Sequence, residues 1–303
     1  MTSQYRLVFC CVLGVVVLLG AAGIGLGAPW PDSLNYAVGW STADEAPIQL
    51  GASVQGMFTE HWGAKIGGWW VTGGNKGLAF VGDAYVNYMG DPLYVAVGRK
   101  FVPFGPAGLL VSPGIGGGEA QYHQDRITLQ VLDGTLQFTP VVGWTRFTFS
   151  GARALADKPV RAARVAVELT DPSSDRHTTL GGNWLDVEDD TGVSADLSAD
   201  VNAWLTLFGE SARFGDENAY AYGIRITNQN TCANPSRYTS ATVYGRHVPI
   251  GFVPAAVGAS AYFENQTGLA VGVYHQINAT YAVGAFGDRH DAIVSLLGYV
   301  PLH

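Results

Sequence analysis

Alternation of apolar and polar residues is the feature that most constrains this chain, and it recurs from about Leu34 almost to the end. Residues 162–170 show the pattern clearly. Their apolar positions are Ala163, Val165, Val167 and Leu169. The positions between them include Arg164 and Glu168. Because successive side chains of a β-strand point to opposite faces, this period predicts strands with one apolar and one mixed polar face.

Turn signals separate about a dozen such segments, each roughly ten residues long. They include Gly90-Asp91-Pro92, Asp133-Gly134 and Gly215-Asp216-Glu217-Asn218, and an Asp-Gly pair favours a tight hairpin turn. Consecutive hairpins form an up-and-down meander. Residues 112–120 and 171–178 are rich in Gly or polar residues and are predicted to be loops outside the sheet.

Two closed structures satisfy this pattern: a soluble barrel or sandwich with an apolar core, and a transmembrane barrel with lipid outside. Only 14% of the residues are charged, against about 25% in ordinary soluble domains. With 40 Gly, 14 Tyr and 8 Trp, this composition favours a surface in contact with lipid. The prediction is an all-β fold, a closed antiparallel up-and-down transmembrane β-barrel of about 12–14 strands. A soluble secreted β-protein is the alternative.

The N-terminal segment differs from the rest of the chain. A single basic residue, Arg6, precedes an apolar run from Leu7 to Leu26, and small residues follow it. This layout predicts a signal peptide over residues 1–28 and a barrel domain over 29–303, although the run could also span a membrane as an uncleaved helix. Cleavage changes the net charge from −8 to −9 and leaves Cys232 as the sole cysteine. An intrachain disulfide framework is then excluded.

Aromatic residues cluster near the predicted strand ends. Such residues form interfacial girdles in membrane barrels, although aromatics are enriched in strands of every kind. The clusters are Trp62, Trp69 and Trp70; Tyr85 and Tyr88; Trp144, Phe147 and Phe149; and Tyr220 and Tyr222.

One stretch resembles a known family. Gly98-Arg99-Lys100-Phe101-Val102-Pro103-Phe104-Gly105 is similar to a segment of porin-like bacterial outer-membrane barrels, in which a strand ends in Gly and a basic residue before Pro-Phe-Gly. The preceding residues 82–99 resemble a pair of their strands. The resemblance implies a passive channel in the outer membrane without a cofactor. This chain is short for a 16-stranded porin with long loops, hence the lower strand count.

Charged residues on the mixed faces are the candidate lumen and selectivity residues. If their apolar neighbours face lipid, these side chains must point inward, since a lipid-facing Arg near the midplane costs roughly 2–4 kcal/mol. They would either line a channel or form ion pairs that fill a closed interior. The candidates are Lys65, Asp83, Lys100, Arg126, Arg146, Arg164, Glu168 and Arg225.

Other chemistry finds little support. The acidic stretch 186–190 lacks the spacing of an EF-hand, and the seven His show no paired spacing for a metal. There is no Gly-x-Ser-x-Gly elbow or Gly-rich Lys-Ser/Thr phosphate loop. We therefore expect no enzymatic activity, no catalytic residue, no cofactor, no metal and, for an acidic chain, no nucleic-acid partner.

The sequence thus predicts a porin-like channel for passive diffusion of small hydrophilic solutes or ions. Its expected location is the bacterial outer membrane, with outer-membrane lipids and small solutes as partners. Acidic loops would give a mild cation preference. The alternative is a non-conducting structural or surface-interaction barrel. The oligomeric state, monomer or homo-oligomer, is left open.

Overall fold

The computed structural model describes residues 31–41, 48–73, 76–111, 114–137, 158–171, 173–187, 190–228, 238–249, 252, 266–288 and 292–301. The predicted signal peptide and Arg146 lie outside these residues, as does the aromatic cluster 144–149. In the described part of the chain, no helix is long and apolar enough to cross a membrane.

The described residues form sixteen strands. In chain order they are β1 Ser33–Ser41, β2 Ile48–Met57, β3 Trp62–Gly73, β4 Lys76–Met89, β5 Leu93–Phe101, β6 Gly114–Gln124, β7 Ile127–Leu136, β8 Pro159–Glu168, β9 Thr178–Val187, β10 Asp190–Asn202, β11 Leu205–Phe214, β12 Glu217–Thr227, β13 Thr239–Val248, β14 Gln266–Gln276, β15 Tyr281–Asp288 and β16 Ala292–Pro301.

Each strand pairs antiparallel with its sequence neighbours, and β1 also pairs with β16, from Ser33↔Pro301 to Ser41↔Ile293. The all-β, closed, up-and-down prediction is therefore confirmed. The predicted count of 12–14 strands is wrong, because sixteen strands of 8 to 14 residues fit into the chain. We call the end of the barrel that holds the start of β1 and the end of β16 the terminal rim, and the other end the opposite rim.

Glycine-rich sequence hides one of the missed strands. Residues 114–120, predicted to be a loop, lie in β6, and the predicted Asp133-Gly134 turn lies inside β7. Gly117 pairs with Gly134, and a Cβ at Gly117 would lie 2.3 Å from the carbonyl oxygen of Asp133. The two glycines thus permit close approach of the strands. In the sequence alone, glycines used in this way cannot be distinguished from glycines that form turns.

The outer surface of the barrel is apolar, and polar side chains are buried inside it. On β7, Leu129 and Val131 are exposed by 42% and 52%, whereas the intervening Gln130 is exposed by only 9%. This is the reverse of a soluble sandwich, in which the apolar face is the core. The outward ion pair Asp133–Arg161, at 3.7 Å, lies towards the opposite rim. The apolar belt between the rims suits lipid hydrocarbon.

Some predicted girdle residues do lie on the outer face, near the rims. Trp62 and Tyr88 lie edge to face at 5.3 Å beside the terminal rim. The rings of Tyr220 and Tyr222 are stacked towards the opposite rim, with their centroids 6.1 Å apart. Trp69 differs from the prediction because it pairs with Gly51 on the inward face, where its ring fills the space beside that glycine.

The chain between β5 and β6 turns into the barrel. Residues 102–111, which we call the inward segment, bury Phe104, Leu109 and Leu110 to 2% exposure or less. They pack against inward apolar side chains of β6 to β13, among them Leu185 and Phe214. One side of the interior near the opposite rim is therefore filled by an apolar cluster.

Candidate lumen site

Lys65 and Asp83 form an ion pair on the inner wall. Lys65 lies on β3 opposite Gln55 of β2, and Asp83 lies on the neighbouring strand β4. Lys65 Nζ lies 2.6 Å from Asp83 Oδ2, and the two side chains are exposed by 26% and 21%. Both predicted residues are thus brought together and remain in reach of water inside the barrel.

Lys100 lies at the base of the inward segment in a more enclosed network. Its ammonium group donates to Glu119 on β6 and to the hydroxyl of Tyr94 at 3.0 Å. Gln121 and Gln130 each donate to the other oxygen of Glu119 at 2.6 Å. With three donors around one carboxylate, the network fixes the wall from which the inward segment departs.

Arg164 belongs to a third network, on β8 to β11. Its guanidinium forms a two-pronged ion pair with Asp196, one arm measuring 2.9 Å, and donates to Asn183 at 2.7 Å. Asn183 donates to Ser194 at 2.7 Å, and the Ser194 hydroxyl donates to Glu210 at 3.2 Å. A carboxylate that binds Arg in this geometry holds the charge in one orientation.

Glu210 connects this network to the inward segment. The backbone N–H of Ala107 donates to Glu210 Oε2 at 3.3 Å. Gly105 has a φ of +74° and sits where a Cβ would lie 2.9 Å from the same oxygen. The segment can therefore press its backbone against the acidic wall only with glycine at this position.

The remaining candidates occupy different places. Arg225 faces inward on β12 and lies over the ring of Phe208, 5.9 Å from its centroid. Glu168 ends β8 at the terminal rim, where it accepts from the backbone N–H of Thr178 at 2.8 Å and lies 3.8 Å from His177. These two side chains are therefore separate from the three networks.

Arg126 was predicted within a strand, but it lies in the turn between β6 and β7 at the terminal rim. It lies 3.5 Å from the exposed carboxylate of Asp171. The pKa of Asp171 lies below its ordinary value, chiefly because the backbone N–H of Ser173 donates to it, with a smaller contribution from Arg126. A turn location removes Arg126 from the lumen wall.

Several inward residues were not among the predicted set. The structure buries three of them: Glu119, Asp196 and Arg246. Arg246 lies over the ring of Tyr244 at 5.5 Å. Glu119 lies in the stretch that was predicted to be a loop. Asp196 alternates with the apolar residues Ala195 and Leu197 and could have been found by the argument that selected Arg164, whereas Arg246 lies between Gly245 and His247 and lacks that signal.

Open space lies against the wall opposite the apolar cluster. A cavity of about 370 Å³ is lined by side chains of β1 to β4 and β14 to β16, including Lys65, Trp69, Asp83 and Tyr274. A second cavity of about 340 Å³ continues towards the terminal rim and shares Gln55, Lys65 and Tyr299 with the first. Within the described residues, no group of His, Cys, Asp and Glu is arranged to hold a metal ion.

Comparisons with known proteins find no matching family model and no matching curated protein. Solved structures do match. OprB from Pseudomonas putida at high pH is 10% identical with a TM-score of 0.52, over 88% of this chain and 93% of that chain. A mutant of the Rh. blastica porin is 10% identical with a TM-score of 0.53, over 88% and 98%. Identity this low establishes the fold alone: the chain is a porin-like closed β-barrel.

Proposed function

We propose that this chain is a passive channel through which small hydrophilic solutes or ions diffuse across a bacterial outer membrane. The observation that supports it most is the contrast between the two faces of one closed sheet. Val131 and Val165, on the outer face, are exposed by 52% and 49%, while the inner face carries ion pairs beside open cavities. A charged inner wall suits a water-filled path.

The proposal includes export and location. A signal peptide over 1–28 would deliver residues 29–303 to the outer membrane, where the apolar belt would contact lipid. The barrel performs no chemical step, and selection would come from the width of the lumen and from its charges. The fold likeness to OprB and the Rh. blastica porin supports a channel in general terms.

A non-conducting structural barrel is the second candidate. The inward segment favours it, because Leu110 and Val111 are fully buried and close one side of the interior near the opposite rim. The two candidates differ in whether the cavities beside Lys65 join the two rims.

Reconstitution of residues 29–303 into a planar lipid bilayer separates them. We expect stepwise increases of conductance, and a small reversal potential in a salt gradient with the sign of a mild cation preference. Folded, heat-modifiable protein that gives no steps would refute the channel and support the structural barrel. A strong anion preference would contradict only the expectation that acidic loops favour cations, and not the channel itself.

A further inference from the structure

The cavity that contains Trp69 has the features of a binding site rather than of a bare passage. The indole of Trp69 extends over the two strands that flank β3. Its six-membered ring covers Gly51 of β2, and its five-membered ring covers Gly82 of β4. A Cβ at Gly51 would lie 2.3 Å from the ring, and one at Gly82 would lie 2.4 Å from it. Glycine at both positions therefore lets the ring lie along the wall.

The side chains around the indole ring of Trp69 are polar, but their charges cancel. Among the described residues that line the cavity, Lys65 and Asp83 are the charged ones, and they neutralise each other at a distance of 2.6 Å. Asn35 and Gln55 contribute amide groups to the same cavity. Such groups form hydrogen bonds with hydroxyls, whereas an ion would meet both signs of charge at once.

The size of the cavity limits the ligand. At about 370 Å³, it lies near the lower end of the roughly 300–1,000 Å³ of typical small-molecule sites. An aromatic surface with a few converging polar groups is the usual composition of such sites. One ring of hexose size fits the volume, with its C–H face on the indole and its hydroxyls on the polar side chains.

We propose that Trp69, with the Lys65–Asp83 pair beside it, forms a subsite for a neutral sugar of pyranose form on the diffusion path. The proposal rests on the channel function proposed above and names its solute class. Because the apolar cluster lies on β6 to β13, the solute passes along the wall of β14 to β16 and β1 to β4. The subsite would slow a sugar ring and leave small ions free to pass.

The test measures ion current through single channels while glucose is added, with sorbitol as a probe of similar size that lacks the ring. We expect glucose to reduce the current at lower concentration than sorbitol. Trp69→Leu should raise the half-blocking glucose concentration about 3- to 10-fold, the worth of one well-placed aromatic contact. Trp70→Leu, on the outer face of the same strand, should leave it unchanged.

A second variant keeps the indole and moves it. Gly51→Ala places a methyl group where the ring now lies, so the side chain of Trp69 must leave the wall. We expect weaker block by glucose than in the wild type. Gly182→Ala is the matched control, because a Cβ there meets no atom within 4 Å.

The failure of the sugar site and that of the channel are distinguishable. Normal conductance with equal effects of glucose and sorbitol, or with no effect of Trp69→Leu, overturns the sugar site and leaves the channel. If no conductance is seen, the channel proposal fails. Glucose-dependent fluorescence of the protein refolded in detergent then decides the site: a change that Trp69→Leu removes supports it, and no change in the wild type overturns it.

Discussion

Replacement of Asp196 by Ala should strongly destabilise the barrel. Asp196 is 1% exposed at its side chain, and its partner Arg164 is 12% exposed. The substitution leaves the guanidinium without its carboxylate. It also removes one of the two acceptors of Asn183, whose amide donates to Asp196 at 3.0 Å and to Ser194. Breaking a buried pair by removing one partner costs about 3–5 kcal/mol. We expect a loss of that size in the free energy of unfolding.

The assay is equilibrium unfolding in urea of protein folded into lipid vesicles, followed by tryptophan fluorescence. Asp133→Ala is the matched control, because the pair Asp133–Arg161 is separated by 3.7 Å and its side chains are exposed by 78% and 64%. An exposed pair contributes only about 0–1 kcal/mol. If Asp196→Ala costs no more than Asp133→Ala, the inner network is not structural and the reasoning fails.

Three further outcomes follow from the packing. Val131→Arg places a charge on the apolar outer belt, where Val131 is exposed. The substitution should lower the free energy of unfolding by about 2–4 kcal/mol if the residue lies near the midplane. An unchanged urea midpoint would contradict a lipid-facing belt. Gly117→Ala should abolish the folded, heat-modifiable band on gels, since its Cβ would lie 2.3 Å from the carbonyl oxygen of Asp133; Gly182→Ala should keep it, and equal behaviour would refute the β6–β7 contact. Leu110→Asp puts an unpaired charge into a fully buried site and should release the inward segment from the barrel wall. We then expect a higher single-channel conductance. An unchanged conductance would show that the inward segment does not narrow the proposed channel.

The alternating pattern was sufficient to predict the class of fold but not the number of strands. A strand such as Pro159–Glu168 is easy to recognise, because its Val and Ala alternate with Arg and Glu. Gly114–Gln124 is not, since four of its first five residues are glycines and the period cannot be seen without side chains. The role of Gly117 depends on the partner strand β7, which a local pattern does not contain.

The same limit applies to the site. Alternation identifies Arg164 as a residue on the polar face, but the partner that fixes it, Asp196, lies two strands away, and pairing at that distance depends on register. Trp69 and Trp70 are adjacent in sequence and both were predicted to form a girdle. Trp69 lies on the same face of β3 as Lys65, so both side chains point into the barrel. Since a shift of one residue reverses the direction of every side chain, the adjacent Trp70 points outward.

The most direct test of the account is chemical access to its proposed water path. In a Cys232→Ser background, Ser53→Cys places a thiol in the cavity beside Trp69, and Val165→Cys places one on the outer face, where Val165 is 49% exposed. A charged, water-soluble thiol reagent added during single-channel recording should lower the conductance of Ser53→Cys and leave that of Val165→Cys unchanged. A conducting Ser53→Cys channel that does not respond, although the reagent is found attached to it, would contradict a path along this wall.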